Sequence, residues 1–143
     1  MKELIQTLTG SEPSIVIPDD ASALSRSIAS TLGIELCETT FRKADAYVVV
    51  DTGSLNQLGR WEKPLREADA RIAFIDHHLP DDEIRELSTL YLVDPEAFST
   101  SEIVYTLYSH YDTTPSMVTS TALLAGIAYD TKHFSIGGSH TFR

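Results

Sequence analysis

The sequence predicts an α/β fold. Short apolar runs alternate with stretches of helical periodicity along the chain, and acidic or histidine residues follow several of the apolar runs. This alternation is typical of βα units, in which each strand is followed by a helix that packs against a parallel sheet. With 143 residues, of which 42% are hydrophobic, the chain is long enough to form one domain with its own core.

The first part of the chain predicts two helices and three strands. Residues 2–8 form the opening helix, and the apolar run 13–18 is a strand that ends at a proline. Residues 21–33 place apolar side chains at helical spacing and stop at Gly33, a residue that favours helix C-termini. Residues 34–40 are a short strand. Residues 45–53 are a stronger one, because 47–50 is a β-rich run of the kind that central parallel strands bury on both faces.

The second part predicts two more strands and three helices. Residues 71–78 and 90–95 are the strands, and residues 81–88 form a short helix between them. Residues 99–111 form a helix that opens on hydroxyl residues able to cap it, and residues 115–131 form a helix with a proline near its N-terminus. The tail after it has no predicted element, and we expect a further unit to follow.

Acidic and histidine side chains gather at the predicted strand ends. Because the carboxyl ends of parallel strands meet at one edge of a sheet, ligands usually bind there. Carboxylates combined with imidazoles suit manganese, zinc or iron, and two such ions can activate water beside a phosphoryl group. The residues at this edge are Asp19 and Asp20 after the first strand, Asp51 after 47–50, and Asp76, His77 and His78 after 71–75, with Asp130 at the end of the last helix.

A structural interpretation of the same residues stays open. A single aspartate after a strand is more often a helix cap or a turn former than a metal ligand. The pair His77 and His78 is harder to explain in this way, because successive strand residues face opposite sides of a sheet. Both histidines can be explained as core residues only if the backbone turns at this point.

The composition excludes several classes of protein. The formal net charge is −10, so the average surface repels polyanions and we expect no grip on duplex DNA. The single cysteine, Cys37, excludes an internal disulfide and is compatible with a reducing compartment. Residues 1–14 are too polar for a signal peptide, and no apolar run reaches the roughly 20 residues of a membrane span. We therefore predict a cytoplasmic protein with no membrane association.

Four quoted stretches together resemble the DHH phosphoesterase family, which is named for the Asp-His-His triplet. They are VVVDTGSLNQLG at 48–59, IDHH at 75–78, STSEIVYTLY at 99–108 and ALLAGIAYDTKHF at 122–134. The resemblance covers residues 14–143 and is specific, because the motifs occur together and in order. It implies a mainly parallel five-stranded sheet with helices on both faces, in three layers. It also implies a second, DHH-associated substrate domain, which is absent from residues 1–143, so we treat these as a single domain.

The resemblance also implies roles for individual residues. Asp51 would bridge two manganese ions, and His77 and Asp130 would be ligands of one of them; magnesium or another divalent metal is an alternative. His78 would face the phosphate or act in proton transfer, and Asp76 would support the two histidines. Substrate-binding residues would be Ser99, Thr100 and Ser101, which match a hydroxyl cluster of the family, together with His133, which follows the late motif.

The first motif of the family is altered in this chain. Its usual pattern is His-x-x-Pro-Asp-x-Asp-Ala, but Ile15 stands at the histidine position and Ala21 at the second aspartate. Asp19 is kept, and Asp20 becomes a substitute if the loop shifts by one residue. We therefore expect one metal site to be weakened, with one or two ions bound in all.

The predicted function follows from the resemblance and from this alteration. We predict hydrolysis of phosphodiester or phosphoanhydride bonds in a small phosphate ester, with short single-stranded oligonucleotides, cyclic dinucleotides and polyphosphate as candidates. The alternatives are a catalytically inactive domain that binds phosphate or a nucleotide, and an interaction domain on the same fold. A homodimer is compatible with the sequence.

Overall fold

A computed structural model describes residues 1–17, 21–36, 40–79 and 81–135. The elements follow the βα alternation that the sequence predicts, after two N-terminal helices. In chain order they are α1 (Lys2–Thr9), α2 (Ala23–Thr31), β1 (Ala46–Val50), a 3₁₀ helix (Leu55–Trp61), α3 (Glu62–Arg66), β2 (Arg71–Asp76), α4 (Asp82–Leu87), β3 (Leu90–Val93), α5 (Thr100–His110) and α6 (Met117–Asp130).

The sheet is parallel, with β2 between β1 and β3. Val50 pairs with Ile75 at the carboxyl end of β1, and Asp76 pairs with Val93 at the carboxyl end of β2. The backbone N–H of Asp51 donates to the Ile75 carbonyl at 3.0 Å, so the ladder extends one residue past β1. This register places Asp51 and Asp76 at the same edge of the sheet.

One face of the sheet is covered by the 3₁₀ helix, α3 and α4. Ile72 and Phe74 both point toward this face, because residues two apart in a strand lie on the same side of the sheet. They share a buried core with Leu55, Leu58, Trp61, Leu65 and Ile84. This core anchors the two loops that carry the strand-end residues, since the 3₁₀ helix follows the first loop and α4 follows the second.

The opposite face is covered by α5. Leu92, which pairs with Ile75, lines a cavity together with Ile103 and Leu107 of α5. A second core, formed by Leu4, Val104, Tyr108 and Leu123, joins α5 to α1 and α6. Helices on both faces of a parallel sheet confirm the α/β class.

The prediction of five strands is wrong for the described residues, which contain three. Residues 13–17 and 34–36, the described parts of the predicted strands 13–18 and 34–40, have no regular secondary structure. The run at 14–17 has β-forming residues, but Val16 is 39% exposed, and β propensity stabilises a strand only where its side chains pack. Among the described strands β1 therefore lies at the edge, and Val48 and Val50 on one of its faces are 39% and 42% exposed rather than buried.

The helix ends agree with the predicted signals. Gly33 has a φ of 64°, a left-handed conformation that glycine adopts without strain, directly after the C-terminus of α2. The hydroxyls of Ser99 and Ser116 accept hydrogen bonds from the first turns of α5 and α6. Among the described helices, none is long and apolar enough to cross a membrane.

Helix α1 is tied to the start of α6 by one carboxylate. Glu3 accepts hydrogen bonds from the Ser116 backbone N–H and the Thr119 hydroxyl, both at 2.7 Å. Burial alone would raise the pKa of Glu3, but the hydrogen bonds from Ser116 and Thr119 outweigh it and hold the pKa below its ordinary value. The N-terminal helix therefore supplies an anion to the N-terminus of α6, where the helix dipole favours one.

Candidate metal centre

Asp51 follows β1 in an unusual backbone conformation. Its φ is 59°, in the left-handed region that few residues other than glycine adopt, although aspartate tolerates it better than most. The Thr100 hydroxyl, at the start of α5, donates a hydrogen bond to Asp51 Oδ1 at 3.0 Å. The carboxylate is about half exposed, so it is held by the protein and also open to a ligand.

Asp76 shapes the turn that follows β2. Its side chain is 2% exposed, and its Oδ1 accepts hydrogen bonds from the backbone N–H groups of His77 at 2.6 Å and His78 at 3.0 Å. The same oxygen accepts a third bond, from His78 Nδ1, at 2.8 Å. The backbone therefore turns at Asp76, and the two imidazoles lie together with ring centroids 4.0 Å apart. This turn explains how two successive histidines reach the same site.

His77 is oriented in the way that metal-binding histidines usually are. Its Nδ1 lies 3.3 Å from the Ala97 carbonyl, which can only accept, so Nδ1 carries the proton of this contact. Nε2 is then the nitrogen with a free lone pair, and it lies 3.8 Å from Asp51 Oδ1. A backbone carbonyl that fixes one ring nitrogen and leaves the other for a cation is a common arrangement around bound metals.

The ligand-bearing atoms of Asp51, Asp76, His77 and His78 all lie within 4.8 Å of one another. His78 Nδ1 is 3.9 Å from Asp51 Oδ1, so this oxygen lies within 4 Å of both imidazoles. Asp76 Oδ2 is buried and has no hydrogen-bond partner in the described part of the chain. Two imidazoles with carboxylates form a donor set that fits manganese, zinc or iron.

Asp130 lies at the C-terminus of α6, within electrostatic reach of this cluster. Burial raises the pKa of Asp130, and the negative charge of Asp51 raises it further, while His77 and His78 act in the opposite direction. Asp130 is outside the group of four that lie within 4.8 Å of one another. The negative charge around Asp51 is therefore larger than that group alone, and a cation would relieve the repulsion between the two carboxylates.

Gly53 allows the loop after β1 to pass close to His78. A Cβ atom on Gly53 would lie 3.2 Å from the Cβ of His78, which is tighter than most contacts of this kind. The Gly53 carbonyl accepts from the Asp81 N–H at 3.0 Å, and the Gly53 N–H donates to Gln57 at 3.1 Å. The two loops that carry Asp51 and His78 are thus fastened to each other.

The sequence profile of the DHH family, N-terminal domain, matches residues 1–127. The chain belongs to the DHH family. This confirms the resemblance drawn from the four motifs, and it includes the Asp-His-His triplet around which the site is built. The late motif at 122–134 begins inside the matched range, and Asp130 lies three residues beyond its end.

Curated relatives of this DHH domain include proteins of known and unknown activity. Uncharacterized protein MJ0988 from Methanocaldococcus jannaschii is 34% identical over 87% of this chain and 37% of its own length. Two proteins named cyclic-di-AMP phosphodiesterase GdpP are 45% identical over 57% of this chain in Geobacillus thermodenitrificans and 39% identical over 66% in Bacillus subtilis. The match covers 13% and 15% of their lengths, so this chain spans only a small part of those enzymes.

A solved structure shares the fold. An exopolyphosphatase-related protein from Bacteroides fragilis has a TM-score of 0.68, with 19% sequence identity, over 90% of this chain and 40% of that chain. Identity at this level supports the fold alone.

The remaining predicted site residues of the DHH domain differ in burial and in the contacts that they make. Ser99 is fully buried and caps α5 by accepting from the Glu102 N–H at 3.2 Å, and Thr100 bonds to Asp51. Ser101 faces Gly126 on α6. His133 is exposed, in a left-handed turn after α6. Substrate binding by these residues stays a prediction, and Asp19 and Asp20 lie outside the described residues.

Two residues near the site were not predicted to be functional. Thr52 and Thr131 are buried, and each directly follows a predicted ligand. The Thr131 hydroxyl donates to the Ile127 carbonyl at 2.6 Å and accepts from the Phe134 N–H at 3.1 Å, which joins the end of α6 to the turn after it. The buried polar residues of the described chain are Thr52, Asp76, Ser99, Thr100 and Thr131. Asp76, Ser99 and Thr100 are themselves predicted site residues, and the other two directly follow one, so position next to a predicted ligand is the signal that the sequence contained.

Proposed function

We propose that this DHH domain is a metal-dependent phosphoesterase that hydrolyses a phosphodiester or phosphoanhydride bond in a small substrate. The observation that carries the proposal is the convergence of Asp51, His77 and His78 at the carboxyl edge of the sheet, within 4.8 Å of one another. The arrangement suits a hydrolase because carboxylates and imidazoles can hold a cation and also move protons. Membership of the DHH family supports the same chemistry.

Asp51, His77 and Asp130 are the residues that we propose to hold the metal, with manganese as the first candidate. His77 offers Nε2, and Asp51 offers Oδ1, which lies 3.8 Å from that nitrogen, as well as the oxygen that Thr100 does not bind. Asp19 and Asp20 are proposed as further ligands on sequence grounds. The bound cation would lower the pKa of a water molecule and offset the negative charge that develops on the phosphoryl group.

His78 is proposed to act on the substrate, with Asp76 as its support. Its side chain is 58% exposed, and its Nδ1 is bound to Asp76, so Nε2 is the nitrogen that remains for a phosphate oxygen. An imidazole protonated at Nε2 can donate to that oxygen or give its proton to the leaving group. Asp76 keeps the ring in this orientation because it holds both the Nδ1 proton and the backbone of the turn.

The substrate class is proposed from charge and from the relatives. With a net charge of −10, the chain attracts a phosphate ester only where a cation compensates the local carboxylates. Relatives carry the name cyclic-di-AMP phosphodiesterase, so we propose a cyclic dinucleotide as the first substrate to test. Short oligonucleotides and polyphosphate are the next candidates.

A second candidate function rests on the altered first motif. Ile15 and Ala21 have side chains without a metal-binding atom, at the positions where the family pattern has a histidine and an aspartate. Loss of two ligands weakens one of two metal sites, and a two-metal mechanism depends on both ions. The second candidate is therefore a domain that binds a phosphate ester without hydrolysing it.

The test is a hydrolysis assay with added manganese and each of the three substrate classes in turn. The proposal predicts metal-dependent turnover of at least one substrate by the unaltered chain, and its loss in His77→Ala. His110→Ala is the matched control, because His110 is an exposed histidine at the far end of α5 and should leave turnover unchanged. Substrate binding without turnover of any of the three would favour the second candidate.

We also propose a cytoplasmic location and a homodimer. The single cysteine, Cys37, is compatible with a reducing compartment, and the half-exposed apolar side chains of β1 form a surface that a second chain could cover. Size-exclusion chromatography with light scattering tests the second, and a monomer at micromolar concentration would contradict it.

A further inference from the structure

Helices α5 and α6 approach each other most closely at Ser101 and Gly126. A Cβ atom added to Gly126 would lie 2.2 Å from Ser101 Oγ and 3.2 Å from Ser101 Cβ. The first distance is far below any real contact between a Cβ and an oxygen atom. Any larger residue at position 126 would therefore force the Ser101 side chain to rotate or the two helices to separate, and the 3.2 Å approach to Ser101 Cβ remains after a rotation of Oγ.

Each partner of this contact is adjacent to the candidate metal centre. Ser101 follows Thr100, whose hydroxyl binds Asp51. Gly126 lies four residues before Asp130, and residues separated by four lie on the same face of an α-helix, one turn apart. On α6 the contact thus lies one helical turn from Asp130, and on α5 it lies one residue from Thr100, which binds Asp51.

A glycine inside a helix makes the helix less stable, and the contact with Ser101 gives a reason for glycine at this position. Glycine in a helix interior is less favourable than alanine by roughly 0.8–1.0 kcal/mol. Gly126 is the only glycine within the six described α-helices, and it lies well inside α6, which extends from Met117 to Asp130. Helix propensity alone would favour alanine, so the close approach to α5 is the physical reason for glycine.

We propose that Gly126 is a positioning residue for the metal centre: its contact with Ser101 sets how close Asp130 comes to Asp51. The inference rests on the proposed metal site. A larger side chain at position 126 displaces the last turns of α6 from α5, and Asp130 then moves away from the other ligands. The same contact gives Ser101 a packing role between the helices.

The experiment is a calorimetric titration with manganese on a set of matched variants. Gly126→Ala is expected to lower the affinity about 10-fold, the lower range for residues that orient metal ligands. Ser101→Gly removes the side chain that the new methyl group would meet, so the double variant Gly126→Ala/Ser101→Gly should recover the affinity of Ser101→Gly alone. Denaturant unfolding of each variant, with chelator present, measures stability separately.

A second comparison links the effect to Asp130. If Gly126 acts by positioning Asp130, then Gly126→Ala should cause no further loss of manganese affinity when Asp130 is already Asn, because the two changes remove the same interaction. A packing role alone would give equal losses in both backgrounds and would overturn the proposal. If Gly126→Ala does not fold, Ser101→Thr adds one methyl group to the same contact from α5 and should give a smaller loss in the same pattern.

The outcomes separate this inference from the proposed function. An unaltered chain that binds no manganese would overturn the metal site and this inference with it. An unaltered chain that binds manganese, with Gly126→Ala folded and equal to it in affinity, would overturn this inference alone.

Discussion

Thr100 and Asp51 are joined by a hydrogen bond of 3.0 Å, although 49 residues separate them in the sequence. The bond links the first residue of α5 to the first residue after β1. Because Asp51 Oδ1 is held, the rotation of the carboxylate is restricted and its other oxygen has a defined direction. The left-handed backbone of Asp51 is maintained by this bond together with the bond from its N–H to Ile75.

Thr100→Val should weaken manganese binding about 10-fold, since partners that orient a ligand typically contribute 10- to 100-fold to metal affinity. Valine keeps the shape of threonine and removes the hydroxyl, so Asp51 loses its donor while the packing changes little. Thr100→Ser keeps the hydroxyl and should retain most of the affinity. Calorimetric titration measures both, and equal affinities for the valine and serine variants would contradict the role of this bond.

Asp76→Ala should lower the free energy of unfolding by roughly 2–4 kcal/mol, because it leaves two backbone N–H groups and the His78 ring without their acceptor. Urea denaturation in the presence of chelator measures the change without a metal contribution. Asp69→Ala is the control, since Asp69 is exposed and follows α3. A loss no larger than that of the control would show that Asp76 does not hold the turn.

Asp130→Asn should increase the stability of the metal-free chain at neutral pH and weaken metal binding. Burial and the charge of Asp51 raise the pKa of Asp130, so its ionised form is disfavoured in the folded chain, and a neutral side chain removes this effect. Asp130 is partly solvated, which limits the gain to roughly 0.5 kcal/mol. Unfolding with and without manganese tests both parts. A variant less stable than the unaltered chain in chelator would contradict the prediction.

Glu3→Gln should reduce stability in a pH-dependent way. The pKa of Glu3 is lowered in the folded chain, so its contribution is present above the unfolded pKa and is lost as pH falls through the folded pKa. We expect a difference of roughly 0.5–1 kcal/mol at neutral pH that disappears in acid. Thermal or urea unfolding at several pH values measures it, with Glu86→Gln, an exposed glutamate of α4, as the control. A difference that is independent of pH would contradict this account.

The centre of the fold could be predicted from the sequence. The strands β1, β2 and β3 and the helices α5 and α6 follow from apolar periodicity and capping residues, with end points shifted by a few residues. The meeting of Asp51 with His77 and His78 follows from the rule that parallel strands bring their carboxyl ends together. These features depend on local pattern and on topology, both of which a single sequence contains.

The supporting contacts could not be predicted in the same way. The Thr100–Asp51 bond and the Ser101–Gly126 contact join residues that are distant in sequence, and neither residue type requires the other. The predicted strand at 13–18 is wrong over its described residues, 13–17, for a related reason: these residues favour strands, but local preference does not supply a packed partner surface. Each of these three features depends on contacts between residues that are distant in the sequence.

The most direct test of the account is a calorimetric titration of the unaltered chain and of His77→Ala with manganese. The account predicts at least one ion bound per chain, and loss of that binding in His77→Ala with the fold preserved by circular dichroism. Absence of binding to the unaltered chain, or equal binding by His77→Ala, would contradict the claim that Asp51, His77 and Asp130 form a metal centre.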